Sequence, residues 1–405
     1  MARMAASVIT KVASVMPDIA VAEITAVGIP AANSAMYSPL SGANAGGQAP
    51  LTKERILNEL TPFARRSNLI GLSWFLQDYV VYWAAIGLVL FAPWITVKVV
   101  ASIVAGVRLA AFYTLAHDAA HNTLVANRRL NYVLAMLLSV PALQNHRLWL
   151  IDHHQQHHPK TNGPQHDFYQ PFSKQQFDRL SPLRQHYERF IRAPNGIGFA
   201  INFFFPWVLG TRVMPDGATP AKSRRSAWAY FTVLMLYQAA FAAALITVAH
   251  LAPPSARLGT ASALLLGVAL PLFVYALVTG ASLYVMHTHR RIPWFAADMP
   301  RIGDHAQELC ATHMTVPPIL ARLTFNVFAH SAHHAHPGIP VYHLMRAQRH
   351  LDGLLGNRGV VEKLSLSGTI ATMRACKLYD FDKHQWLDFD GKPTAPPIDL
   401  AKRGA

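Results

Sequence analysis

The chain has 405 residues, of which 52% are hydrophobic and only 14% are charged, with a net charge of +15. Soluble domains carry about 25% charged residues, so this composition argues against a disordered chain and against an ordinary soluble enzyme. It favours a membrane protein with polar parts. The only cysteines are Cys310 and Cys376. Two cysteines exclude a disulfide framework, a cysteine-ligated zinc ribbon and an iron–sulfur cluster within the chain.

The chain begins with a segment that is rich in Ala, Ser and Gly. We expect residues 1–60 to form a flexible N-terminal segment, because such a composition buries little apolar surface. A cleaved transit segment remains an alternative, because acidic residues are scarce there. A membrane domain is then predicted over 61–390, followed by a C-terminal tail over 391–405.

Four apolar stretches are long enough to cross a bilayer, for which a helix needs about 20 residues. A turn near Pro93 separates the first two, and Pro254 lies between the last two, which predicts two helical hairpins. The shorter apolar stretches Leu130–Leu143 and Gly196–Gly210 are expected to lie in the membrane interface. The predicted spans cover 76–97, 95–116, 227–251 and 258–286, and the first two overlap because the sequence does not place their turn to the residue.

Almost all Lys and Arg residues precede the first span, lie in 119–226 or follow Met286. Positive residues concentrate on the cytoplasmic side, so both termini and the middle region are predicted to face the cytoplasm. This asymmetry also accounts for the net charge. Nucleic acid is not an expected partner, because no basic stripe alternates with stacking aromatic residues. Arg108 lies inside the second span, and it either faces the protein interior or reaches the interface with its long side chain.

The histidines are clustered at helical spacing, which places several imidazoles on one face of a helix. The first cluster follows the second span, and the second cluster comes after it with no crossing between them. Two further spans return the chain to the same side, where the fourth span ends and the third cluster follows. All the clusters can therefore meet at one membrane face. The candidate ligands are His117, His121, His154, His157, His158, His287, His330, His333 and His334.

Nine imidazoles are too many for one metal ion and suit two. No Glu lies in or beside a cluster, which argues against a catalytic zinc hydrolase and against the Glu-x-x-His pattern of soluble di-iron proteins. The chain also lacks the Gly-rich loops and the Gly-x-Ser-x-Gly elbow of nucleotide enzymes and hydrolases. What remains is a pair of metals in an all-nitrogen site at a membrane surface, which suits redox chemistry with oxygen.

At these clusters the sequence resembles the membrane fatty acid desaturase family, whose fingerprint is one His-x(3,4)-His box and two His-x-x-His-His boxes with four spans. The resemblance runs from about Phe75 to Asp390 and is nearest to the plastid-type omega-6 (delta-12) acyl-lipid desaturases. The second box begins with a doubled pair, so its first ligand is either His153 or His154. We favour His154, because only that residue completes the His-x-x-His-His pattern. Besides the three boxes, the residues that carry the resemblance are Thr161-Asn162, His166-Asp167, His287-Thr288, Ile292-Pro293, Pro337–Pro340, Tyr342–Leu344 and the segment 369–380.

The resemblance implies an all-α integral membrane fold, with four transmembrane helices in two hairpins and a cytoplasmic cap that carries the histidine boxes. It also implies two non-haem iron ions held by the nine histidines, O2 as co-substrate, and a fatty acyl lipid in which a C=C double bond is formed. Two electrons must come from an external donor. An acidic ferredoxin docked on the basic face suits the charge, and a cytochrome b5-type donor is the alternative. We expect a bacterial inner membrane, or alternatively a plastid membrane.

Two groups of alternatives stay open from the residues alone. A lipid hydroxylase, ketolase or acetylenase would use the same scaffold and differ in how the substrate is presented. A membrane metal transporter would belong to a different class, but it calls for ligands near the middle of the spans, whereas these histidines lie at one end. Asp118 and Asp152 flank box histidines, and either could accept an imidazole N–H.

Overall fold

The computed structural model describes residues 51–163, 168–296 and 307–400, and these are mostly helical. Four helices are long and apolar enough to cross a membrane. In chain order they are α2 (Asn68–Phe91), α3 (Ile95–Ala120), α9 (Ala221–Leu251) and a helix over Thr260–His287, which consists of α10 (Thr260–Leu264), a π-helical stretch (Leu265–Ala269) and α11 (Leu270–His287).

The boundary between the first two spans differs from the prediction. The first span was predicted over 76–97, but α2 begins at Asn68, where the Ser67 side chain accepts the N–H of Ile70, and it ends at Phe91. Ala92 has an extended backbone because it precedes a proline, whose ring disfavours helical geometry in the residue before it. The overlap therefore disappears, and α3 begins at Ile95 as predicted but extends four residues beyond 116.

Two cations of the spanning helices are buried in the protein. Arg108 of α3 pairs with Asp78 of α2 at 2.7 Å and also donates to the backbone oxygen of Leu323. Of the two alternatives for Arg108, the structure shows the one that faces the protein interior. Lys98, in the first turn of α3, donates to the oxygen of Val89 at the end of α2 and to that of Ala256, after α9. The first of these bonds satisfies a carbonyl at the end of α2 that would otherwise lack a donor.

Glycines allow the close helix crossings that support the site. A Cβ atom at Gly106 of α3 would lie 2.6 Å from the backbone oxygen of Pro271 on α11. Gly280 belongs to α11, and a Cβ atom there would lie 2.5 Å from the backbone oxygen of Phe199. Both distances are below van der Waals contact, so α11 can lie this close to its two neighbours only because these positions lack a side chain.

The remaining helices surround the ends of the long ones. Part of the segment that was expected to be flexible is helical: α1 (Lys53–Leu60) is held in place because its apolar residues Ile56 and Leu60 are buried in a cluster with Leu344 and Leu351. Residues 1–50 of that segment lie outside the described residues. The two stretches expected in the interface are helical over Arg128–Ser139 and Ile197–Val213. The other helices are α4 (Arg128–Ser139), α5 (His146–Asp152), α6 (Lys174–Asp178), α7 (Pro182–Ile191), α8 (Ile197–Asn202) with a π-helical stretch (Phe203–Val213), α12 (Pro318–Leu323), α13 (His330–Ala335), α14 (Val341–Leu355) and α15 (Leu366–Ala375).

The described part of the chain is mostly helical, in agreement with the predicted all-α class, and it contains little sheet. Two small sheets tie the cap together: β1 (His313–Thr315) pairs in parallel with β2 (Val361–Lys363), and β3 (Leu378–Asp380) pairs antiparallel with β4 (Gln385–Leu387). Three-residue strands leave too short an alternating pattern to be read from the sequence. The predicted tail contacts this second sheet, because Thr394 donates its backbone N–H to Trp386 in β4.

Candidate metal centre

Four segments bring their histidines to one place at the ends of the long helices. His117 lies in the last turn of α3, His121 directly follows that helix as its C-cap, and His287 is the last residue of α11. The second cluster follows α5 in a π-helical turn (His153–His157), and α13 carries the third cluster. The prediction that all clusters can meet at one end of the spans therefore agrees with this arrangement.

The imidazole nitrogens form two separate groups. Within each group the potential ligand atoms all lie within 4.8 Å of one another. Five and four nitrogens are suitable numbers for two metal ions. The first group consists of His117, His121, His153, His158 and His333, and the second of His157, His287, His330 and His334.

The nitrogens within a group stand at the separations expected for ligands of one ion. The Nε2 atom of His121 lies 3.1 Å from that of His153 and 3.2 Å from that of His158. In the second group, Nε2 of His330 lies 2.8 Å from that of His287 and 3.1 Å from that of His334. Imidazole nitrogen binds an ion such as zinc at about 2.0–2.1 Å, which places two ligands at right angles about 3 Å apart. The residues therefore fit a pair of metal ions.

The protonation state of these rings also suits metal binding. Burial, together with the neighbouring imidazoles, holds the pKa of six cap histidines well below the ordinary value for histidine. A neutral imidazole has one nitrogen that only accepts, and several such nitrogens facing one another cannot all find a hydrogen-bond donor. A metal ion between them can bind all of their lone pairs. The six residues are His121, His153, His158, His330, His333 and His334.

One predicted ligand takes a different position. Among the described residues His153, and not the favoured His154, belongs to the first group. The backbone N–H of His158 bonds the oxygen of His153, five residues earlier, so this turn is π-helical. The wider turn brings the side chains of residues five apart onto one face, where an α-helix would have aligned residues four apart. Burial lowers the pKa of the His154 imidazole to about 4, and its Nε2 has no hydrogen-bond partner among the described residues.

Backbone and hydroxyl groups orient two rings of the second group. The Nδ1 atom of His287 lies 3.2 Å from the backbone oxygen of Cys310, and that of His334 lies 3.4 Å from Oγ1 of Thr161. A partner at Nδ1 selects the tautomer in which Nε2 is free to bind a metal. Thr161 also bonds the backbone oxygen of His157, so it links the second cluster to the third.

Within the described part of the chain, neither of the two candidate carboxylates bonds an imidazole, which differs from the expectation. Asp118 accepts the backbone N–H of Val341, and so holds the first turn of α14 against the end of α3. Asp152 instead pairs with Arg212 from the π-helical stretch after α8. The His166-Asp167 pair of the sequence resemblance lies outside the described residues.

A buried polar chain that the sequence did not reveal supports α13. His313 lies outside both nitrogen groups, and its Nδ1 is 2.7 Å from Oδ2 of Asp352. The other oxygen of Asp352 accepts from Gln348, whose own oxygen accepts the backbone N–H of Ala332. This N–H belongs to the first turn of α13, which no backbone acceptor in the helix can satisfy. The only sign of this chain in the sequence is the four-residue spacing of Gln348 and Asp352, which places both side chains on one face of a helix.

A cavity extends from the histidines toward the apolar part of the structure. It includes six of the nine grouped histidines and, on the other side, apolar side chains such as Leu283 and Met286 of α11. Tyr113, Trp207 and Arg212 form a further wall. The cavity has a volume of about 60 Å³, so in this structure it adjoins both groups of nitrogens but has room for only a short apolar segment.

Comparison with known proteins agrees with this site. A model of the fatty acid desaturase family matches residues 92–363, which is more than half of the chain. The chain is 33% identical over 114 residues to dihydrorhizobitoxine desaturase of Bradyrhizobium elkanii, which covers 28% of this chain and 32% of that protein. It is 25% identical to the probable fatty acid desaturase DES1 of Sorghum bicolor (62% of this chain, 63% of the relative) and 24% identical to the chloroplastic omega-6 fatty acid desaturase of Brassica napus (74% and 64%).

The chain thus spans between about a third and just under two thirds of these relatives. The family match covers all three histidine clusters and the end of α11. It begins three residues before α3 and extends to the end of β2, so it includes every element that contributes a grouped nitrogen. This chain belongs to the fatty acid desaturase family.

Proposed function

We propose that the protein is a membrane-bound desaturase that forms a C=C double bond in a fatty acyl chain, with O2 and two electrons from an external donor. The observation that carries the proposal is the pair of nitrogen groups at one end of four membrane-length helices, beside an apolar cavity. The ligand set is that of the sequence analysis with His153 in place of His154.

The chemistry requires a redox pair, because a methylene C–H bond is not acidic enough for acid–base groups. Two bound iron ions would supply the reduction of O2 to two waters, which takes four electrons and four protons. The substrate gives two hydrogen atoms, that is two electrons and two protons, and becomes an alkene. The other two electrons come from the donor and the other two protons from water, which balances the reaction. All-imidazole ligands suit iron, as they suit zinc, copper and nickel.

The residues of this chain have three tasks in such a reaction. The nine histidines hold the ions, and Thr161 and the Cys310 backbone oxygen fix the orientation of two of them. The apolar side chains beside the histidines would exclude water and orient the reacting carbons. A hydroxylase, ketolase or acetylenase would need the same tasks and remains the alternative on this scaffold.

A two-hairpin topology with the metal centre in the cytoplasm completes the proposal. The basic residues outside the spans favour that orientation, and a bacterial inner membrane is the proposed location, with a plastid membrane as the alternative. An acidic ferredoxin suits the basic cap as donor. A reporter fused after Ala405 should be cytoplasmic, and one inserted near Ser255, between α9 and α10, should be outside. The same side for both reporters would contradict the topology.

The function itself is tested by expression in a host that lacks polyunsaturated lipid, followed by mass spectrometry of its fatty acids. We expect a new unsaturated species, and its absence in a His334→Ala variant that still inserts into the membrane. Hydroxylated or oxo products would indicate the alternative activity. Purified protein should contain two irons per chain; stoichiometric zinc together with no gain of activity on iron loading would contradict the proposal.

A further inference from the structure

The short helix α12 carries apolar side chains that the described part of the chain leaves exposed. Ile319 is 69% exposed and Leu323 is 43% exposed, and Leu320 on the same helix is exposed as well. Three such residues on a helix of six form a patch, whereas single apolar residues scattered over a surface need no explanation. Apolar area gains free energy when it is removed from water, so this face suits contact with an apolar phase outside the protein.

A hydrogen bond to the second span fixes the depth of α12. Nη2 of Arg108 in α3 donates to the backbone oxygen of Leu323 at 3.3 Å. A helix rises about 1.5 Å per residue, so Arg108 lies about 20 Å along the axis of α3 from its first residue, Ile95. The exposed Trp94 before α3 suits the far membrane interface, and the hydrocarbon core between the two interfaces is about 30 Å thick. The end of α12 thus lies about 10 Å inside this core, on the side of the metal centre.

The backbone at the ends of α12 depends little on water. A helix leaves about four N–H groups at its start and about four oxygens at its end without a partner inside the helix. Pro317 at the N-cap and Pro318 at the first position have no N–H to satisfy. The last four oxygens all accept bonds from the protein: that of Leu320 from Thr324, that of Ala321 from Asn326, that of Arg322 from Phe325 and that of Leu323 from Arg108. Helix ends at membrane depth are tolerated where the protein satisfies them in this way.

The charged residue of α12 is held by the first span. Arg322 donates to Oε1 of Gln77 at 2.9 Å, and its guanidinium carbon lies 3.9 Å from the centre of the Trp74 ring. The bond and the aromatic ring both stabilise the cation beside α2. Leu76 and Val80, which belong to the same part of α2, are exposed apolar residues of the span. The apolar surface of the span therefore continues onto α12.

We propose that α12 is a re-entrant helix that dips into the leaflet nearer the metal centre, where its exposed side chains contact the acyl chains of membrane lipids. This lipid contact is additional to the four spans, and it goes beyond the proposed function because it does not depend on the reaction. Val327, which follows α12 after a short turn, lines the cavity beside the histidines. The segment from Ile319 to Val327 therefore leads from the lipid to the wall of the site.

Spin labels test the depth of α12. Full-length protein is placed in lipid nanodiscs, one chain per disc, with a nitroxide on Ile319→Cys, on Val80→Cys in the first span or on Arg349→Cys, an exposed position of α14. Cys310 and Cys376 are buried, and unsubstituted protein gives the background of labelling. The ratio of relaxation by O2 to relaxation by a water-soluble nickel chelate should match that at Val80 and exceed that at Arg349 several-fold. A ratio equal to that at Arg349 would place α12 in water, and weak relaxation by both reagents would mean that protein covers it; either result would overturn the proposal.

Photolabelling of the unsubstituted protein supplies an arm that needs no variant. The nanodisc lipids carry a diazirine either within the acyl chain or on the headgroup, and the modified peptides are identified by mass spectrometry. The acyl-chain probe should modify residues 318–323 and the exposed part of α2, and it should leave the exposed residues of α14 unmodified. Modification of 318–323 by the headgroup probe alone would overturn the proposed depth, and modification by neither probe would overturn the lipid contact. Neither arm needs iron or a product, so a failure of the proposed desaturation would be seen separately.

Discussion

Replacing His153 and His154 one at a time tests the geometry of the metal centre most directly. His153 Nε2 lies 3.1 Å from Nε2 of His121 and belongs to the five-nitrogen group, whereas His154 belongs to neither group among the described residues. His153→Ala should therefore remove a direct ligand and His154→Ala should not. Substitutions of residues that only support a ligand already cost about 10–100-fold in metal affinity or activity. Loss of a direct ligand should cost at least the upper end of that range.

The assay combines metal analysis with product analysis. His153→Ala should fall from two irons per chain toward one, with activity reduced by about a hundredfold or more, while His154→Ala keeps both irons and most activity. His250→Ala is a suitable control, because His250 lies in the last turn of α9, where its Nε2 is 3.0 Å from the Thr260 hydroxyl. Iron loss in His154→Ala with normal iron in His153→Ala would refute the π-helical arrangement of this turn.

Three further predictions concern stability. Arg108→Met should lower the free energy of unfolding by about 3–5 kcal/mol, because it leaves the Asp78 carboxylate buried without its partner, and the Arg108→Met/Asp78→Leu double variant should recover most of this loss in thermal unfolding assays. Gly106→Ala should destabilise by about 1–3 kcal/mol through the close approach of Pro271, whereas Gly87→Ala, with open space around it, should be neutral or stabilising by up to about 1 kcal/mol. Burial lowers the pKa of His146 to about 3, so on acidification the unfolded chain binds a proton at this residue before the folded protein does. The free energy of unfolding should therefore fall as the pH drops from 6.5 toward 3, and this group contributes at most about 1.4 kcal/mol per pH unit. The fall should be shallower in His146→Phe.

Local signals in the sequence were sufficient for the four long helices and for the family. A stretch of about 20 apolar residues can satisfy its backbone in lipid only as a helix, so the prediction needs no knowledge of the neighbours. The start of α3 at Ile95 and the end of α9 at Leu251 were predicted to the residue. The start of α2 was missed by eight residues; the Ser67 side chain caps the helix there, and the charge of Asp78 inside it is buried against Arg108.

The histidine spacing predicted seven of the nine histidines that the structure groups, and the position of His287 at the end of the fourth span predicted an eighth, because imidazoles that share one face of a helix leave a repeat in the sequence. The choice between His153 and His154 depended on one hydrogen bond of the π-helical turn, and no spacing rule that assumes 3.6 residues per turn can anticipate it. The partners of Arg108, Asp152 and His313 lie 30, 60 and 39 residues away in the chain, so only the tertiary structure could show that these polar side chains are paired. The reason is physical: a membrane span and a ligand repeat are properties of neighbouring residues, whereas burial of a charge is decided by whatever the fold brings beside it.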